Sequence, residues 1–216
     1  MTDVNLYGLE RSVYTRIARL ALEEKSIAYT LHEVEIFGPD GAPPELVARH
    51  PFVRIPALEH AGFQLYETGA ITRYVDEAFP GPRLQPSEPQ LRARMHQVLS
   101  LLDAYAYRPM VWGVFVERVR IPMSGGKPDE TKIAESMAMA ATCLTALDAL
   151  VSVDPFLVGP HVTLADLHAF PILLYFSLAD EGRQLLTQYP TIERWFAMMR
   201  SRPSVERTRS RYEPKL

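Results

Sequence analysis

Four stretches of this chain set residues able to do chemistry where an element begins. The first is Leu6-Tyr-Gly-Leu-Glu-Arg-Ser12-Val-Tyr-Thr15-Arg16. Ser12 falls where helical periodicity starts. As an N-cap its hydroxyl accepts from a backbone N–H two or three residues on, worth about 1 kcal/mol. The same hydroxyl could donate to an anion, which the helix dipole favours at that end. The second is Pro51-Phe-Val-Arg54-Ile55-Pro56-Ala-Leu58. Proline entering a strand after a loop needs no further reason. A cis Ile55–Pro56 bond, the state of about 5–6% of such bonds, would turn the N–H and C=O of Ile55 outward to pair with a peptide ligand as an added strand. The third is Tyr66-Glu67-Thr68-Gly-Ala-Ile71. By itself it reads as a cap with an acidic first turn. Functionally, Thr68 suits a carboxylate and Glu67 an ammonium group, the two charges of an amino-acid-like ligand end. The fourth spaces Thr163 and Asp166 as in a capping box, with Asp in place of Glu or Gln, and is assigned to folding.

The elements that must position these residues follow from periodicity. Residues 4–7 read as a strand, 12–25 as a helix and 28–36 as an alternating strand. An irregular helical stretch follows. Two short strands, 57–60 and 63–66, flank an Ala61-Gly62 turn, and 67–79 reads as a helix. The first β-α-β makes a parallel pair by the right-handed crossover rule. Pro80-Gly-Pro82, with Pro86 and Pro89 behind it, marks a linker over 81–90. Beyond it strand signals vanish. Helices are expected over 91–120, kinked at Pro109, and over 130–150, 163–178 and 190–200. The polar tail after Pro203 is expected on the surface. The fold class is therefore α/β plus all-α, a small sheet domain followed by a helical bundle. Such halves serve many functions.

Bulk properties exclude several classes. The 216 residues are 47% hydrophobic and 23% charged, ordinary for a globular protein, with a net charge of −3. That charge gives no reason to expect nucleic acid or an anionic membrane as partner. No run approaches the roughly 20 apolar residues of a membrane helix, and the N-terminus lacks a secretory pattern, so a cytoplasmic location is expected. The single cysteine, Cys143, lies in an alanine-rich helical run and reads as a packed thiol. The histidines are scattered, and no metal site is expected.

In this order and at these separations, the four stretches resemble the glutathione transferase family. The resemblance spans nearly the whole chain. It is strongest over 4–80 and 155–203, where PFVRIPAL, YETGAI, LADLHAFP and ERWFAMMRSRPSV carry it. It implies a thioredoxin-like glutathione-binding domain over 1–80, an all-helical domain over 91–216 carrying a hydrophobic substrate pocket, and a homodimer. Glutathione is the implied co-substrate, with no metal. Gly8-x-x-x-Ser12-x-x-Thr15-Arg16 resembles the serine pattern of phi- and theta-like members, in which the hydroxyl activates the thiol. Tyr7 is the rival, similar in position to the catalytic tyrosine of other classes. Carried over residue by residue, Ile55 holds the cysteinyl part through its backbone. Glu67 and Thr68 hold the γ-glutamyl end, and Arg54 reaches the glycyl carboxylate. Three positions depart from the pattern. Val53 stands where glycine is frequent, the loop over 38–43 lacks the His-Lys pair of phi-like members, and Thr68 replaces the usual serine.

The second pocket is expected to be apolar and to lie between the domains. Tyr105, Met110, Trp112 and Phe115 are its candidate lining, although helical spacing equally suits core residues. Phe52 is either a plug for a partner subunit or an ordinary core ring. The implied chemistry is within reach of these parts. Lowering a thiol pKa from about 8.5 by about two units takes roughly 2.7 kcal/mol. A hydrogen bond to an anion supplies about 1.5–3 kcal/mol and a helix N-terminus about 0.3–1. Conjugation of glutathione to a small hydrophobic electrophile is the leading expectation. A non-catalytic binding or assembly module of the same fold, or a glutathione-dependent isomerase, peroxidase or dehalogenase, are the alternatives.

Overall fold

Val4, Leu6 and Gly8 are buried while Asn5 and Tyr7 are half-buried, so β1 (Val4–Gly8) has one fully covered face. A computed structural model describes residues 3–38, 41–151 and 155–213. The described residues up to Leu84, with those from Pro203 onward, form one compact unit; Gln85–Arg202 form the other.

In the first unit β1 is followed by α1 (Val13–Glu24), β2 (Thr30–Glu33), α2 (Pro44–Val47), β3 (Ala57–His60), β4 (Phe63–Tyr66) and α3 (Thr68–Ala78). The sheet order is β2-β1-β3-β4, with β1 and β2 parallel and the other pairs antiparallel. Ala61 (φ 49°) and Gly62 (φ 83°) are both left-handed, as a two-residue primed hairpin requires. β2 is shorter than its alternating pattern. Tyr29 leaves the ladder so that its hydroxyl can accept from Arg19 Nε at 3.0 Å, and Val34 turns into a small core with Leu46 and Ala57.

The tail departs from the expectation that it belongs to the helical domain, and only part of it lies on the surface. α10 (Pro203–Arg207) and the described residues after it pack in the first unit, with Val205, Thr208 and Ser210 buried. The cause is Arg16, which is wholly buried. Its Nη1 pairs with Glu213 Oε1 at 2.6 Å, its Nη2 donates to the Val205 carbonyl at 3.2 Å, and its Nε donates to Thr208 Oγ1 at 3.4 Å. Thr208 and Glu213 of the tail are partners for a buried cation, while Glu206, Arg207 and Arg211 stay exposed.

In the second unit α4 (Pro89–Leu101) continues through a widened helix, Leu102–Ala106 and Arg108–Arg120, into α5 (Ile121–Met123). The chain does not break at Pro109. Backbone bonds there span five residues, as from Tyr107 N–H to Leu102 O and from Ile121 N–H to Val116 O. The wider turn separates the proline ring from the carbonyl it would strike in an α-helix. α6 (Glu130–Leu150), α7 (Leu164–Ser177), α8 (Asp180–Leu186) and α9 (Pro190–Arg200) complete the unit. Contrary to the sequence expectation, α6 is long and apolar enough, at 21 residues, to cross a membrane. It is a bundle helix all the same. Ile133, Ser136, Ala140, Cys143, Leu144 and Leu147 bury one face, and α6 packs along the widened helix. Gly113 permits that approach, since a Cβ there would lie 1.9 Å from Ser136 Oγ. Cys143 is packed as expected. Its thiol lies 3.0 Å from the Tyr105 carbonyl, and burial pushes its pKa up.

Candidate functional site

The strand register assembles the site. Tyr7, next to last in β1, pairs with Ala57 at the start of β3, and Ala57 pairs with Tyr66 at the end of β4. The turn carrying Ser12, the Ile55–Pro56 segment and the Glu67–Thr68 junction therefore leave the sheet at one end. Three stretches far apart in sequence become neighbours through antiparallel pairing alone.

Ser12 caps α1 from an extended backbone (φ −81°, ψ 131°), and its half-buried Oγ accepts from Thr15 N–H at 3.3 Å. Accepting leaves the hydroxyl hydrogen for a second partner. The first turn of α1 carries no acidic residue, so its N–H groups keep their positive field. The spacing of the motif has a steric cause. A Cβ on Gly8 would lie 2.4 Å from Thr15 Oγ1, so glycine lets the first turn of α1 settle on the end of β1. Arg16 faces inward to hold the tail.

Tyr7 is placed differently. Its ring stacks on His32, with centroids 4.7 Å apart, and the Arg49 guanidinium carbon lies 4.2 Å from the ring centre. The ring also packs against Val34, Leu46 and Ala57. The tyrosine belongs to the small core that includes α2.

The Ile55–Pro56 bond is cis, and Ile55 packs against that same core. Val53 has φ 52°, a backbone conformation that favours glycine. Arg54 is exposed. Glu67 has φ 70° and its side chain caps nothing, contrary to the simple capping reading. A left-handed glutamate is strained, and strain of this kind collects at functional sites. Thr68 is buried as the first residue of α3.

Sequence reasoning passed over His50. It is 2% exposed, and its Nδ1 accepts from Phe52 N–H at 3.3 Å. Its ring centroid lies 4.7 Å from that of Tyr66. Burial lowers its pKa and the Arg54 charge adds to this, while the Glu67 carboxylate opposes it. Phe52 is 68% exposed, and its ring meets those of His50 and Tyr66 edge-on, so it is no core residue.

In the helical unit, Thr163 and Asp166 form the expected capping box. Asp166 is wholly buried. Its Oδ2 accepts from Thr163 N–H at 2.8 Å and from the Thr163 hydroxyl at 2.9 Å. Its Oδ1 accepts from Leu157 N–H and Trp195 Nε1, both at 2.8 Å. Burial pushes the carboxyl pKa up, and the donated hydrogen bonds oppose that. The four candidate pocket residues do not share one surface. Met110 and Phe115 are core side chains, with Phe115 edge-on to Tyr175 at 4.7 Å. Trp112 is half-buried and donates to the Tyr107 hydroxyl at 3.0 Å, and Tyr105 is 64% exposed. The widened helix turns Met110 and Phe115 into the bundle, so helical spacing meant packing for those two. Of the loop over 38–43, residues 39 and 40 lie outside the described residues. Among the described residues, no cluster of three or more His, Cys, Asp or Glu is arranged to hold a metal.

The family models for the N-terminal and C-terminal domains of glutathione S-transferase match residues 6–83 and 106–203. The chain belongs to the glutathione S-transferase family. Glutathione S-transferase F6 of Arabidopsis thaliana is 26% identical over 209 residues, covering 96% of this chain and 99% of the relative. A probable glutathione S-transferase GSTF1 of Oryza sativa subsp. japonica is 28% identical over 210 residues, covering 96% and 95%. Among solved structures, glutathione transferase F7 of Populus trichocarpa superposes with a TM-score of 0.83 at 26% identity, covering 95% of this chain and 97% of that one. A glutathione S-transferase of Rhodospirillum rubrum F11 gives 0.79 at 25% identity, covering 95% and 91%.

Proposed function

We propose that this transferase conjugates glutathione to a small hydrophobic electrophile, with Ser12 donating a hydrogen bond to the thiolate. The observation that carries the reading is the convergence of Ser12, Ile55, Glu67 and Thr68 at one end of the sheet through the Tyr7–Ala57–Tyr66 register. Glu67 receives the glutathione ammonium group, Thr68 its γ-glutamyl carboxylate, and the Ile55 backbone its cysteinyl part. The exposed Arg54 meets the glycyl carboxylate. Tyr7 is the rival donor, and its ring packs on His32 and the small core.

The thiol loses its proton to water, and the sulfur is held as the anion by the Ser12 hydroxyl and the start of α1. With an aryl halide, the sulfur attacks the ring carbon, the C–S bond forms, and halide leaves with its electron pair. The electrophile rests on the helical unit, where Tyr105 and Trp112 keep exposed surface. The protein acts in the cytoplasm as a homodimer, with the exposed Phe52 ring entering the partner subunit.

The test is glutathione-affinity retention followed by an aryl halide assay of Ser12→Ala. Turnover should fall roughly tenfold or more while the chain stays folded. Unchanged turnover would move the role to Tyr7 or to backbone amides. Failure of the unmodified chain to bind glutathione would favour the assembly-module reading.

A further inference from the structure

We infer that His50 is a positioning residue, locking the segment that carries Arg54 and Ile55 against the strand end that carries Glu67 and Thr68. The inference rests on the glutathione site proposed above, since those four residues are its parts.

The geometry makes His50 a bracket between two ligand-binding segments. On one side its Nδ1 accepts from Phe52 N–H at 3.3 Å, two residues before Arg54. On the other its ring lies 4.7 Å, centroid to centroid, from that of Tyr66, immediately before Glu67. The side chain is almost wholly buried, so both contacts are held by packing. The two segments it joins each contain a left-handed non-glycine residue, Val53 at φ 52° and Glu67 at φ 70°. Such backbones persist only where surroundings over-determine them. His50 supplies that determination through one acceptor and one ring face. It also lies within electrostatic reach of both Arg54 and Glu67, the two charged groups assigned to opposite ends of glutathione.

A bracket of this kind should govern affinity for glutathione and leave the chemical step alone. The test uses the full chain and measures the glutathione Kd by calorimetry, with kcat at saturating glutathione beside it. His50→Ala should weaken glutathione binding about fivefold to tenfold, with kcat and the KM for an aryl halide within about twofold of the unmodified chain. His50→Asn places an amide oxygen near the Nδ1 position and should restore most of the affinity. His50→Gln fills similar space but sets its amide one carbon further out, so it should bind as weakly as the alanine variant and serves in its place if that variant does not fold. Unchanged affinity in the Ala and Gln variants would overturn the inference. So would an Asn variant no better than Ala, or a kcat that falls in step with affinity. An unmodified chain that does not bind glutathione would overturn the site itself, a result distinct from all of these.

Discussion

Ser12 and Thr163 are both hydroxyl residues opening a helix, one in each unit, and their surroundings differ. Thr163 is buried, and the Asp166 beside it takes four donors within 2.9 Å. Ser12 is half-buried, accepts one long hydrogen bond of 3.3 Å, and has no acidic residue in the turn that follows. One cap is closed on itself, and its burial demands that every polar atom be matched. The other keeps a hydroxyl hydrogen and several helix N–H groups for an anion from outside. The same residue class in the same local role thus separates into folding and chemistry according to what the neighbours leave over.

That contrast can be broken by measurement. Its largest consequence is at the closed cap. Asp166→Ala should cost about 3–5 kcal/mol of stability in urea denaturation, because four donors lose their acceptor in a dry site. A loss below about 1 kcal/mol would show that the network is not closed. Thr163→Ala should cost about 1–2 kcal/mol by the same readout. Ser12→Ala should cost only about 0.5–1 kcal/mol, and its main effect should appear in turnover. If the two hydroxyl variants lost equal stability and neither lost activity, the distinction between the caps would be gone. The smallest effect has the opposite sign. Glu67→Gly should leave stability unchanged or raise it by about 1 kcal/mol or less, since relief of the left-handed backbone outweighs the added chain entropy of glycine. Glutathione binding should weaken in that variant. A thermal melt beside a calorimetric titration separates the two, and a large drop in melting temperature would mean that Glu67 serves folding.

Much of the frame was legible from periodicity and punctuation. Helices α6 and α9 begin and end where apolar spacing and Pro190 put them, and Ala61-Gly62 turns the hairpin. The parallel β1–β2 pair follows from the helical crossover that joins the two strands, and the capping box from a three-residue spacing. What stayed hidden was conformational or long-range. Nothing in the letters Val53 and Glu67 says that both have positive φ. A lone histidine in a loop has no spacing to reveal it, so His50 went unseen. Met110 and Phe115 were offered as pocket lining because an aromatic-rich run suits a cleft and a core alike, and the widened helix around Pro109 turns them inward. The tail misled because polar residues normally mark surface, and here Glu213 serves a buried arginine 197 positions earlier in the chain.

The Arg16–Glu213 clasp bears on how the protein is made. A ribosome delivers the sheet first, yet Glu213, the carboxylate that pairs with Arg16, is made 197 positions later. Until then the guanidinium lacks that carboxylate, so the sheet unit is completed only after the helical unit has been made. A product shortened to Arg202 would lack Glu213 together with the Val205 carbonyl and the Thr208 hydroxyl that accept from Arg16. Closing of the sheet unit is therefore coupled to synthesis of the segment that follows Pro203.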